Sequence, residues 1–376
     1  MSMLVKEEVN TGRQFEFDVA KTFAIFFMVI VHVSDNISVL DSSIMTQSFL
    51  HLVIEFFGAP MAAPMFMFAM GVGMVYTKHD SSKGFVKRGV KLIFMGYALN
   101  FFRETLLMLI ANGMGLETNY KKALIDTIGT IDILQFAGMV FLLVALMKKL
   151  SLKPWMMLCV AFALQAFGTL FIGSFDSDPK AVQYVWGLMF YTNHYIAFPA
   201  TLWLVYPVMG VCFAYLLRRV SDKDNFYRRV LWISVVALIS VTVGSIALGT
   251  DVRCYFVSVG DSYYQQSFIS TLWIASIIGV SISIYYYLSC FIEGRLQNTV
   301  KYISINLNTI YIMQWLLISY SIAVKEILGL GNLAGCWVIP IGVLISIVCM
   351  ILTWGWNHMK QHKFIIYIGC KYKNIS

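Results

Sequence analysis

Runs of roughly twenty apolar residues recur from one end of this chain to the other, with short polar stretches between them. In hydrocarbon a chain must satisfy its backbone polar groups internally, and a helix of about 20 residues is what crosses a bilayer core. The runs fall near residues 17–33, 56–77, 89–111, 125–147, 155–174, 199–217, 231–249, 267–290, 305–324 and 335–356. The expected fold class is therefore all-α, a polytopic transmembrane helical bundle of about ten spans. Residues 44–57 read as an interfacial helix before the second span, which Pro60 and Pro64 start or bend.

Charged residues make up 13% of the chain and hydrophobic ones 59%. A soluble domain carries roughly 25% charged residues, so the shortage is that of a chain solvated by lipid. The residues before Phe17 hold no apolar stretch, so the first run reads as a retained span. The expected organisation is an N-terminal tail at 1–16, one membrane domain at 17–356 and a basic C-terminal tail at 357–376.

The basic residues set the orientation, because cytoplasmic loops concentrate Lys and Arg. With the N-terminus inside, the cytoplasmic segments hold the clusters Lys78–Lys91, Lys148–Lys153 and Arg218–Arg229, and the tail from Lys360 to Lys373. The external side keeps only Lys121, Lys122, Lys180, Arg253 and Lys325. Both termini are expected in the cytoplasm. The net charge of +8 then belongs to membrane anchoring, and nucleic acid is not an expected partner. The seven cysteines show no metal-ligand or redox spacing, and neither a metal site nor a disulfide is expected.

A few polar residues fall where lipid would exclude them. Lys21 and His32 share the first span, eleven residues apart, which is about 16 Å along the axis and within about 20° around it. An anion held at Lys21 would place its far end at His32; the plainer alternative is a snorkelling lysine and a histidine at a loop. Arg88 and Lys91 share a face at the start of the third span, suited to phosphates or to simple anchoring. Arg103 and Glu104 lie deeper in that span and should face protein or a watery cavity, as an acceptor site or as an ion pair. Asp132 and Gln135 in the fourth span are further candidates for acceptor binding. Asn306, Asn308 and Gln314 in the ninth read as interhelical hydrogen-bonding groups. The external loops near 175–198 and 250–266 are rich in aromatics, including Tyr184, Trp186, Tyr263 and Tyr264, which suits a membrane-surface belt or a sugar.

Asp18, Lys21 and His32 resemble the first-span signature of the membrane acyltransferase 3 family: an acidic residue, a basic one three later, then a histidine. The APMFMFAMGVGMVYT run with Gly71 is similar to that family's second-span block, shared with the wider superfamily that includes heparan-alpha-glucosaminide N-acetyltransferases. KRGVK (87–91), TIDILQFAG (130–138), FPATLWLVYPVMGVCFAYLLRR (198–219) and ISINLNTIYIMQW (303–315) resemble further blocks in the same order. Lys21 stands where Arg is more common, and Gln314 where many members have His.

The resemblance implies transfer of an acyl group, usually acetyl, from cytoplasmic acyl-CoA as co-substrate to an extracytoplasmic carbohydrate. On that expectation Lys21, Arg88 and Lys91 hold the donor's phosphates. His32 is the general base; the position of Asp35, three residues on, suits orienting or charge-balancing it, apart from the resemblance. Arg103, Glu104, Asp132 and Gln135 meet the acceptor. The other function class open to such a chain is a transporter or flippase for a lipid-linked sugar or small anion, although only the second span shows a Gly/Pro cluster and no repeat is evident. The expected setting is a bacterial cytoplasmic membrane. The acceptor's identity and any homo-oligomer stay open.

Overall fold

A computed structural model describes residues 3–41, 48–78, 81–115, 120–257 and 262–373. The helices run, in chain order, α1 Phe15–Ile37, α2 Phe49–Gly58, α3 Ala63–Tyr76, α4 Ser82–Asn100, α5 Leu106–Gly113, α6 Tyr120–Gly129, α7 Ile133–Lys149 and α8 Pro154–Thr169. They continue with α9 Lys180–Gly187, α10 Ala200–Trp203, α11 Val205–Leu217, α12 Lys223–Ala247, α13 Phe268–Ser289, α14 Gly294–Ile305, α15 Leu307–Ile327 and α16 Val338–Lys373. Among the described residues, β-pairing is limited to isolated bridges.

Eight helical stretches among the described residues are long and apolar enough to cross a bilayer. Each coincides with an expected run. The other two runs differ. That at 155–174 supplies only the shorter apolar α8. That at 125–147 is not one helix: α6 stops, Thr130–Asp132 runs irregularly, and α7 begins. Residues 44–47 of the expected interfacial helix lie outside the described residues, and Phe49–Gly58 form α2. The last helix continues past residue 356 to Lys373.

α1 is the centre of the bundle, packed against α2, α3 and α13 to α16. Its first turn carries Glu16 and Asp18, which suit the positive end of a helix dipole. Glu16 is buried and receives Lys223 Nζ at 2.6 Å and the Tyr227 hydroxyl at 2.9 Å, tying α1 to α12. Asp18 is gripped by Arg13 at 2.6 and 2.9 Å and takes the Ser304 hydroxyl at 2.6 Å, tying α1 to α14.

Helices in lipid gain little from apolar burial alone, so close backbone approach and van der Waals contact hold them. Two pairs show this. A Cβ on Gly71 of α3 would strike the Pro207 carbonyl, and one on Gly210 of α11 the Phe68 carbonyl. A Cβ on Gly89 of α4 would lie 2.8 Å from the Gly138 carbonyl oxygen, and one on Gly138 of α7 2.6 Å from that of Gly89. The α4–α7 pair is thus seated backbone on backbone, and it carries the two polar breaks described next.

Candidate functional site

Two helix irregularities place the intramembrane charges. Between α4 and α5, residues Phe101–Thr105 form a π-turn in which the Leu106 N–H reaches the Phe101 carbonyl. Such a turn holds an extra residue and re-aims the side chains on it. It turns Arg103 inward, where the residue is 2% exposed. Across from it, the break before α7 puts Asp132 at the N-cap of that helix. Asn100 Nδ2 donates to the Ile128 and Thr130 carbonyls at 3.2 and 2.6 Å, satisfying groups the break has freed.

Gln135 serves the same break. Its Nε2 donates to the Thr130 carbonyl at 3.2 Å, and its Oε1 accepts from the Asp132 N–H at 3.3 Å. The residue assigned to the acceptor from sequence is therefore wholly buried in a capping box. A Cβ at Gly96 would fall on its carboxamide.

Arg103 and Asp132 meet at 3.0 Å, and Arg103 also pairs with Glu104 at 2.8 Å. Asp132 takes a further bond from the Tyr311 hydroxyl at 2.7 Å. The Arg103 guanidinium lies over the Trp315 ring, 4.3 Å from its centre, and the His32 ring lies 4.1 Å from that same indole at 34°. Gln314 Nε2 is 3.2 Å from His32 Nδ1. Tyr311, Gln314 and Trp315 come from one face of α15, at i, i+3 and i+4. The side-chain hydrogen bond at His32 thus comes from Gln314, while Asp35 lines the same cavity as His32.

That cavity, about 60 Å³, is bounded by His32, Asp35, Glu55, Asp132, Phe198, Tyr263 and Tyr264, among others. Its aromatic wall is fixed by a buried polar network. Tyr206 OH donates to Gln266 Oε1 at 2.7 Å, Gln266 Nε2 to the Tyr263 carbonyl at 2.6 Å, and Trp203 Nε1 to the Tyr264 carbonyl at 3.1 Å. Phe198 arrives because Ile131, in the break, pairs with the 195–197 backbone.

Toward the other end of α1 lies a chamber of about 250 Å³, lined by Lys21, Thr77, Arg88, Ser304 and Asn308 together with apolar side chains of α3, α4 and α7. Lys21 makes no hydrogen bond or ion pair among the described residues, and the Arg88 guanidinium stands 4.7 Å from the Phe141 ring centre. Lys91, expected beside them, is exposed on α4 and does not line the chamber. A neck of about 10 Å³ separates the two spaces. It shares Phe66, Leu134, Leu307 and Asn308 with the basic chamber, and Met28 and Ile133 with the histidine cavity. The three spaces are consecutive along α1, from Lys21 past Ile25 and Met28 to His32.

Of the residues given candidate roles from sequence, the structure places Lys21 and Arg88 at the basic chamber, His32, Asp35 and Asp132 at the histidine cavity, and Arg103 against Asp132. Sequence reasoning did not assign Glu55, Phe198, Tyr311 or Trp315 to a site. The i, i+4 spacing of Tyr311 and Trp315 beside Gln314 was the signal available for two of them.

No curated protein and no solved structure matches the chain. The family model described as the acyltransferase domain matches residues 14–355, from the turn before α1 to within α16. It spans both cavities and the neck between them, and the chain belongs to the membrane acyltransferase 3 family.

Proposed function

We propose that this membrane protein transfers an acetyl group from cytoplasmic acetyl-CoA to a hydroxyl of an extracytoplasmic glycan. The reading sets the bundle in a bacterial cytoplasmic membrane with ten spans and both termini inside. The donor's phosphates then meet Lys21 and Arg88, its thin arm threads the neck, and its thioester reaches His32. The acceptor enters from the aromatic side, between Phe198, Tyr263 and Tyr264.

The observation that carries the reading is the alignment of a basic chamber, a narrow neck and a histidine cavity along one helix. Acyl-CoA has that shape: a polyanionic head, a long arm and one reactive bond at the tip. In the reaction, His32 takes the proton of the acceptor hydroxyl as its oxygen attacks the thioester carbonyl. The new C–O bond forms and the carbonyl pair moves to oxygen. Collapse breaks the C–S bond, and the departing thiolate receives the proton from His32.

Membrane vesicles supplied with radiolabelled acetyl-CoA on the basic face test this. The parent protein should place label on glycan at the opposite face. General-base help is worth about 10²–10⁴-fold in rate, so His32→Gln, which keeps a hydrogen-bonding group but takes no proton, should lose that factor while still binding donor. Near-parent acylation by His32→Gln would remove the base and bring the transport reading forward.

A further inference from the structure

We propose that Gln314 is a positioning residue for His32, its amide oxygen accepting the Nδ1–H of the imidazole so that Nε2 is left free to take the acceptor's proton. The proposal rests on the reading of His32 as general base.

Gln314 lies on α15 and is wholly buried, with its carboxamide against His32 Nδ1 at 3.2 Å. That leaves Nε2 as the ring nitrogen available to a ligand in the cavity. Gln314 presents both a donor and an acceptor end of nearly identical shape, and which end faces the ring follows from the chemistry required of it. With the amide N–H₂ toward Nδ1, the neutral ring carries its proton on Nε2 and has no lone pair for the acceptor. Once the ring has taken a proton both nitrogens are donors, and an amide N–H₂ at Nδ1 would oppose donor to donor. With the amide oxygen toward Nδ1, both steps are served: the neutral ring holds Nδ1–H, and the imidazolium keeps that bond.

The amide oxygen of Gln314 has no hydrogen-bond partner when it points away from the ring, and a buried carbonyl oxygen without a donor is costly. Turned toward His32 it gains one and leaves the N–H₂ end in its former place, so the proton requirement of the ring decides the orientation. Trp315, the next residue on α15, lies against the same ring at a tilt of 34° and limits its rotation. A single turn of α15 therefore fixes both the plane and the tautomer of His32.

The role resembles that of a carboxylate behind a catalytic histidine, but Gln314 is neutral and stabilises the imidazolium less. The charges closest to the ring are in part already paired. Asp132 at the start of α7 is bound by Arg103 and Tyr311, and Glu104 pairs with Arg103. Glu55 on α2 lies 4.0 Å from His51, Asp35 shares α1 with His32, and Tyr263 and Tyr264 close the far wall.

Acyl transfer measured against pH in reconstituted Gln314→Leu, Gln314→Glu and His32→Gln proteins tests the assignment, with donor binding as the check on folding. Gln314→Leu should lower kcat at least about tenfold, toward the roughly 10⁴-fold that a wrong tautomer costs a Ser-His-Asp enzyme, with KM for the donor unchanged. Gln314→Glu should keep activity and move the acid limb of the rate upward by about one pH unit or more, because an anion at Nδ1 favours the protonated ring. A parental kcat and pH profile in Gln314→Leu, with His32→Gln inactive, overturns the positioning role alone. Activity in His32→Gln overturns the base and this proposal with it. If Gln314→Leu does not accumulate, an unshifted acid limb in Gln314→Glu overturns the proposal by itself.

Discussion

At the scale of single residues, the four cationic groups expected to act fall into three environments. Lys21 is half-buried, unpaired among the described residues, and faces the basic chamber. Arg88 joins it from α4 and lines the chamber, while Lys91 one turn on does not, although both side chains are exposed. Arg103 is buried and already matched by two carboxylates and an indole. A charge-assisted hydrogen bond to an ionised partner is worth about 1.5–3 kcal/mol, or roughly ten- to hundredfold in affinity. Arg88→Ala is therefore expected to weaken acetyl-CoA binding by about that factor. Lys91→Ala should change it far less, since that side chain lies outside the chamber lining. Titration of purified protein with the donor separates the two, and equal losses would put both side chains on the phosphates. Arg103 differs in kind: removing it would leave the half-buried Asp132 without its main partner, so its loss would report on the site's integrity rather than on donor contact.

At the scale of helices, the α4–α7 pair sets the site's geometry. The Gly89–Gly138 contact seats the two backbones, and the same helices end in the π-turn bearing Arg103 and the cap bearing Asp132. Gly138→Val would push against the Gly89 carbonyl and Ile93. It is expected to cost about 1–3 kcal/mol and to draw Arg103 and Asp132 apart. Thermal unfolding in detergent together with acyl transfer checks this, and a variant of parental stability would show that the pair tolerates separation. These helices also mark how far sequence reaches. Hydropathy located the long spans, because lipid enforces length and composition whatever the contacts. It could not see the break at Thr130–Asp132, since Ile131 and Ile133 keep the run apolar while Asn100, thirty residues away, satisfies the freed carbonyls. For the same reason Gln135 looked like a ligand: only the three-dimensional structure shows its amide already committed to backbone. Gln314, read as an interhelical hydrogen-bonding group, does bond across helices, and what sequence could not supply was its partner, His32.

At the scale of the whole molecule, the proposed topology makes its own prediction. An engineered cysteine at Asp178 should react with a membrane-impermeant reagent in intact cells, and one at Asp224 should not; labelling at Asp224 would invert the arrangement. On the proposed orientation, the basic chamber would lie toward one face and the histidine cavity toward the other of a membrane that holds a proton gradient. What keeps them apart is the neck lined by Ile25, Met28, Phe66, Ile133, Leu134 and Leu307, with Asn308 and Tyr311 beside them, at about 10 Å³ close to the smallest volume that admits one water molecule. Proton conduction needs an unbroken file of water, and a largely apolar space this small would be expected to interrupt it by drying. On the proposed reaction, the same side chains that guide a thin acyl carrier would also act as electrical insulation, letting an activated group reach the far side without discharging the cell's stored voltage.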